Sequence, residues 1–245
     1  MKKGRSLRMT VGARLRQYGA CVALVQLAAA CSPSAPEQNV ANGTATQAPA
    51  PASGAAIPAD ARLVVVFGDS LYAGYNLGPA EGFAPVLEHA LTTRGLKARV
   101  INGGVSGDTS AAGLARLAFT LDGLPRKPDL MLVGLGGNDM LRGLSPEATR
   151  TNLDAILAEL KKRGLPVMLT GMLASPNMGP DYAAAFNPIY GDLAKKYAVP
   201  LYPFFLDGVI GHRDLQLPDG IHPNAKGVET VVAKVAPMVA EDLGE

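Results

Sequence analysis

Apolar residues along this chain fall into two kinds of run. Short, nearly unbroken stretches rich in Val, Leu and Ile recur at 62–68, 97–102, 130–135, 166–170 and 199–202. Each is too short for a core helix and reads as a strand covered on both faces. Between them lie longer stretches with apolar positions three and four residues apart, predicting helices over 82–94, 109–118, 145–163, 182–197 and 223–243. Ser145-Pro146-Glu147 has the chemistry of a helix start, with Ser as the cap and Pro at the first helical position. Gly164-Leu165-Pro166 is the matching stop. Strands alternating with helices predict an α/β three-layer sandwich around a five-stranded parallel sheet. Right-handed crossovers make the flavodoxin-like strand order 2-1-3-4-5 the natural one. Residues 61–245 contain no second linker or repeat and are enough for one domain with a sizeable core.

The first 60 residues break that pattern. Lys2, Lys3, Arg5, Arg8, Arg14 and Arg16 precede an apolar stretch, Gly19 to Ala30, that is too short to span a bilayer and ends in small residues. Residues 1–31 therefore read as an export signal. Leu27-Ala28-Ala29-Ala30-Cys31 resembles the lipobox of bacterial lipoproteins, which would make Cys31 a lipidation site and membrane anchor. Leu27 stands one position further from the Cys than that pattern has it, and Ala28-x-Ala30 would serve equally well as an ordinary signal-peptidase site. The expected location is the periplasm, or the outer membrane as an anchored lipoprotein. Residues 32–60, mostly Ala, Pro, Ser, Gly, Thr and Gln, hold too little apolar surface to offset the entropy of ordering, and predict a disordered tether.

The signal also carries the basicity. The whole chain has 23 Lys+Arg against 21 Asp+Glu; without the six cations of residues 1–31 the balance becomes 17 against 21, a net of −4. An acidic domain gives no footprint for a nucleic-acid partner. Both cysteines, Cys21 and Cys31, lie in the signal, so the domain has no internal disulfide and depends on its core.

Parallel strands bring their carboxyl ends to one edge, where open α/β sheets bind ligands. Those ends carry Gly68-Asp69-Ser70, then Ser106-Gly107-Asp108-Thr109, then Gly136-Gly137-Asn138-Asp139; Asp219-Gly220-Ile221-His222 lies near the C-terminus. Acyl transfer needs a nucleophile, a general base, a group that orients the base, and donors for the developing oxyanion. Ser70 can attack, His222 can take its proton, and Asp219 can hold the imidazole from three residues upstream. The backbone N–H groups of Ser70 and Gly107 and the amide of Asn138 are the candidate oxyanion donors.

Four blocks in this order resemble the SGNH (GDSL-type) hydrolase superfamily, and within it the bacterial arylesterase, thioesterase and lysophospholipase group. Gly68-Asp69-Ser70-Leu71, Ser106-Gly107-Asp108-Thr109-Ser110, Gly136-Gly137-Asn138-Asp139 and Asp219-Gly220-Ile221-His222-Pro223-Asn224 carry the likeness, which spans the chain from Leu63 onward. The resemblance implies a carboxylic ester hydrolase with Ser70 as nucleophile, Gly107 and Asn138 as oxyanion donors, and Asp219 with His222 as the base pair. Leu141-Arg142-Gly143 is similar to the loop lining the acyl pocket of thioesterase-type members. The segment from Gly171 to Tyr182 looks more like exported arylesterases, which leaves acyl-chain preference open. Leu141, Met172 and Leu173 are candidate pocket walls.

Other readings compete. His89 sits within an amphipathic helix pattern, and His212 lacks an Asp three residues before it. Asp69, Asp108 and Asp139 read as acceptors that fix loops through backbone N–H groups. Scattered histidines and no domain cysteine give no metal-ligand pattern, no Gly-Lys-Ser/Thr follows the glycines at 134–137, and no G-x-S-x-G elbow surrounds Ser70. The expectation is an exported serine ester hydrolase acting on a small-molecule ester through an acyl-enzyme, without cofactor, metal or obligate protein partner. A carbohydrate O-acetylesterase and a non-catalytic surface-binding lipoprotein are the alternatives.

Overall fold

A computed structural model describes residues 57–245. The expected signal 1–31, Cys31 and all but the last residues of the expected tether lie outside the described residues. Among those described, no helix is long and apolar enough to cross a membrane.

Five strands, β1 (Arg62–Gly68), β2 (Ala98–Gly104), β3 (Leu130–Gly134), β4 (Val167–Thr170) and β5 (Leu201–Tyr202), form one sheet in the order β2-β1-β3-β4-β5. Every neighbouring pair is parallel, as the alternation of runs predicts. The central strands are sealed: Leu63 to Phe67 and Met131 to Val133 are fully buried. A strand that meets helices on both faces needs apolar side chains in both directions, which is why these runs do not alternate with polar residues.

Among the described residues eight α-helices surround the sheet: α1 (Ser70–Ala73), α2 (Phe83–Thr93), α3 (Ser110–Asp122), α4 (Gly137–Leu141), α5 (Pro146–Lys162), α6 (Pro180–Phe186), α7 (Pro188–Tyr197) and α8 (Ala225–Asp242). α2 packs with α8, whereas α3, α5 and α7 pack together as a second group. Ser145 caps α5 through a hydrogen bond from the Ala148 N–H at 3.1 Å, with Pro146 first in the helix. The helix predicted over 182–197 is two helices. Pro188 has no N–H and its ring blocks the preceding turn, so the helix is interrupted at Asn187, whose side chain accepts from the Ala174 N–H at 2.8 Å.

Register sets up the functional edge. Gly68 stands level with Gly104 on one side and Gly134 on the other, so three strands end side by side. A Cβ on Gly68 would lie 2.5 Å from the Gly134 carbonyl oxygen and would also strike the Tyr72 ring. Only glycine allows β1 and β3 to close up where the next residues must diverge.

Candidate active site

Asp69 turns the chain out of β1. Its carboxylate accepts from the Leu71 N–H at 3.1 Å and caps α1, which places Ser70 at the head of a one-turn helix. Ser70 Oγ lies 2.8 Å from His222 Nε2, and His222 Nδ1 lies 2.7 Å from Asp219 Oδ2. The carboxylate fixes the Nδ1–H tautomer and leaves Nε2 to accept from the hydroxyl. Asp219 does a second job through its other oxygen, which accepts from the Ile221 N–H at 2.9 Å and the His222 N–H at 3.0 Å. Burial pushes the Asp219 carboxyl up, but these two N–H groups and the His222 ring outweigh it and hold the acid below its usual range. His222 is further set by the hydrogen bond from the Leu217 N–H to its carbonyl oxygen at 2.8 Å.

The expected oxyanion donors are the N–H groups of Ser70 and Gly107 and the amide of Asn138. Among the described residues, neither the Ser70 N–H nor the Gly107 N–H donates to a protein acceptor. Gly107 has a φ of +86°, a conformation open to glycine at little strain, and its carbonyl oxygen accepts from Arg142 Nη2 at 2.7 Å. Asn138 lies in α4, directly after β3. Its Nδ2 donates to the Asp108 carbonyl oxygen at 3.0 Å and makes a longer contact, 3.4 Å, with Asp69 Oδ2. The amide nitrogen is thus anchored on Asp108, and its contact with Asp69 is the longer and weaker of the two.

Buried polar groups brace this arrangement. Asp139, 1% exposed, accepts from the Ser110 N–H at 2.7 Å, from Thr149 Oγ1 at 3.2 Å, and from the Ser110 hydroxyl in a short bond. It ties the third block to the start of α3, as expected of a loop-fixing acid. Asp69 also holds its loop, through Leu71. Asp108 departs from that expectation, since its carboxylate pairs with the Arg116 guanidinium rather than with a backbone N–H. Arg116 is a residue that sequence reasoning missed. Its signal was present: it lies on the face of α3 that buries Gly113 and Leu117, where a lone cation needs a partner.

Of the expected pocket walls, Met172 is buried, and Leu141 and Leu173 are exposed at 52% and 42%. A cavity of about 10 Å³ beside Asp69, walled partly by Gly137 and Met172, has room for one water at most. A cavity of about 370 Å³ touches Leu130, Val167 and Pro200, at the opposite, amino-terminal edge of the sheet. His89 and His212 are both exposed.

The chain is similar to known proteins along most of its length. The GDSL-like lipase/acylhydrolase family matches residues 66–229. Esterase TesA of Pseudomonas aeruginosa is 39% identical over 181 residues, covering 74% of this chain and 89% of that protein. Thioesterase 1/protease 1/lysophospholipase L1 of Escherichia coli is 36% identical over 188 residues, covering 75% and 88%. The crystal structure of AlinE4, an SGNH-hydrolase family esterase, is 50% identical and superposes with a TM-score of 0.64 over 76% of this chain and 98% of that one. By its sequence, its sheet order and these relatives, the chain belongs to the GDSL-like lipase/acylhydrolase (SGNH) family of carboxylic ester hydrolases.

Proposed function

We propose that the protein hydrolyses small aryl esters and short- to medium-chain acyl esters through a covalent acyl-enzyme on Ser70. The observation that carries this reading is the unbroken chain from Ser70 Oγ through the His222 ring to Asp219, at 2.8 and 2.7 Å. In the first half-reaction Ser70 Oγ bonds to the ester carbonyl carbon as its proton passes to His222 Nε2. The carbonyl oxygen takes the negative charge and receives hydrogen bonds from the N–H groups of Ser70 and Gly107 and from Asn138 Nδ2. His222 then gives its proton to the departing alkoxide and the C–O bond breaks. In the second half-reaction water, deprotonated by His222, attacks the acyl-serine, and the acid leaves as the proton returns to Ser70.

The acyl group is assigned to the surface side of the site. Beside Asp69 the interior holds no space for a chain, whereas Leu141 and Leu173 offer exposed apolar surface next to the blocks that carry Asn138 and Met172. The names of the E. coli relative extend the proposal to thioesters and lysophospholipids as further substrates. The reading of 1–31 as a signal, of Cys31 as a lipid anchor and of 32–60 as a tether belongs to the same proposal and puts the enzyme outside the cytoplasm.

Hydrolysis of p-nitrophenyl esters from acetyl to dodecanoyl tests the substrate class. The expected optimum lies between butanoyl and decanoyl. Cleavage of acetyl esters alone, together with release of acetate from acetylated polysaccharide, would replace this reading with a carbohydrate O-acetylesterase.

A further inference from the structure

Arg116 takes no part in the chemistry above, yet it touches both halves of the oxyanion site. Its Nε donates to Asp108 Oδ2 at 2.5 Å and its Nη2 to the Gly68 carbonyl oxygen at 2.9 Å. The guanidinium carbon lies 4.1 Å from the centroid of the Phe67 ring in β1. Both partners of the ion pair are largely enclosed, with side chains 20% and 12% exposed. Gly68 stands two residues before Ser70, and Asp108 directly follows Gly107. The Asp108 carbonyl oxygen is in turn the acceptor that anchors Asn138 Nδ2, at 3.0 Å.

We propose that Arg116 is a positioning residue for the oxyanion site, holding the Gly107-Asp108 loop, and through it the Asn138 amide, at a fixed distance from the strand end that delivers Ser70. The proposal rests on the acyl-transfer reading above. The three donors come from three separate chain segments, and each segment is joined to the Arg116–Asp108 pair by one hydrogen bond or one peptide link. Without the pair, the loop after β2 would, among the described residues, be set against β1 by the Val105 N–H bond to Gly68 O alone, at 3.0 Å, while Arg142 still holds Gly107 from the end of α4. Oxyanion donors act within a few tenths of an ångström, so a slack loop would weaken transition-state binding and leave ground-state binding alone. A guanidinium suits this task because its planar fork meets two acceptors in fixed directions while its flat face lies on an aromatic ring; an ammonium offers no such fork.

The test compares kcat, KM and thermal stability for p-nitrophenyl butyrate hydrolysis across four variants. These are Arg116→Lys, the double variant Arg116→Met/Asp108→Asn, Asn138→Ala, and Arg116→Lys combined with Asn138→Ala. The double variant removes the guanidinium without stranding a buried carboxylate, so it guards against simple misfolding. Both Arg116 variants are expected to lower kcat about 10- to 100-fold with KM within about 3-fold of wild type. On top of Asn138→Ala, Arg116→Lys is expected to cost much less than it does alone, because part of what it positions has gone. Full kcat in either folded Arg116 variant, a loss confined to KM, or an undiminished loss in the Asn138→Ala background would overturn the positioning role. If Asn138→Ala by itself left kcat unchanged, the oxyanion reading would fall first, and the proposal with it.

Discussion

The ring of Tyr75 lies against the imidazole of His222, with centroids 4.5 Å apart and planes 34° apart. Tyr75 follows Gly74, the left-handed cap of α1, and its N–H donates to the Ser70 carbonyl oxygen at 3.3 Å. One short turn therefore carries Ser70 at its head and a packing surface for His222 at its tail. Hydrogen bonds fix the imidazole within its own plane through Asp219; Tyr75 limits its tilt. Replacing Tyr75 by Ala should lower kcat about 10-fold by letting the ring swing away from Ser70, while Tyr75→Phe should stay within about 2-fold because the packing face is kept. Equal losses in the two variants would shift the role from the ring to the hydroxyl.

Asn138→Ala removes the side-chain donor. Its amide nitrogen is held by the Asp108 carbonyl oxygen at 3.0 Å, with only a longer 3.4 Å contact to Asp69 on its other side. The expected result is a fall in kcat of about 100-fold or more with little change in KM. A rise in KM at constant kcat would mean that Asn138 binds substrate rather than the transition state.

Asp69 makes stability depend on pH. Burial pushes its carboxyl from 3.8 up to about 7, the charges of Asp108 and Asp139 add to the rise, and the Leu71 N–H opposes it. Below pH 4 both the folded and the unfolded chain hold this proton, and the native state bears no ionisation cost. Between pH 4 and 7 the unfolded chain releases the proton while the folded one keeps it, so stability falls as pH rises, levelling off above 7. A difference of about three pK units sets this loss at roughly 4 kcal/mol at most. Thermal unfolding of Asp69→Asn should accordingly show a smaller drop in Tm from pH 5 to pH 8 than the wild type. Parallel Tm–pH curves for the two proteins would contradict the assignment.

Asp219→Asn keeps the size of the side chain and removes the charge that stabilises the imidazolium. Its kcat should fall by about 100-fold or more, with the protein still folded. A loss of only a few-fold would show that the turn, rather than the carboxylate, orients His222.

The sheet was legible because its strands are buried on both faces and so read as unbroken apolar runs; β1 and β3 are the clearest cases. The candidate site was legible because its members sit in four compact blocks, three of them at strand ends, and the structure brings Ser70, His222 and Asp219 within hydrogen-bond distance. What escaped has identifiable causes. α1 and α4 are too short to show a helical period, at four and five residues. The break between α6 and α7 falls at a proline inside a continuing amphipathic pattern, where periodicity argues one way and backbone chemistry the other. Arg116 and Tyr75 act through partners distant in sequence, Gly68 and His222, and no local spacing announces such contacts.

The central claim is that Ser70 is an activated nucleophile. Treating the folded protein with a fluorophosphonate and reading intact and peptide masses tests it most directly. One adduct is expected, on the peptide containing Ser70, absent from Ser70→Ala and greatly slowed in His222→Ala. An unlabelled but folded wild-type protein, or an adduct on another residue, would contradict it.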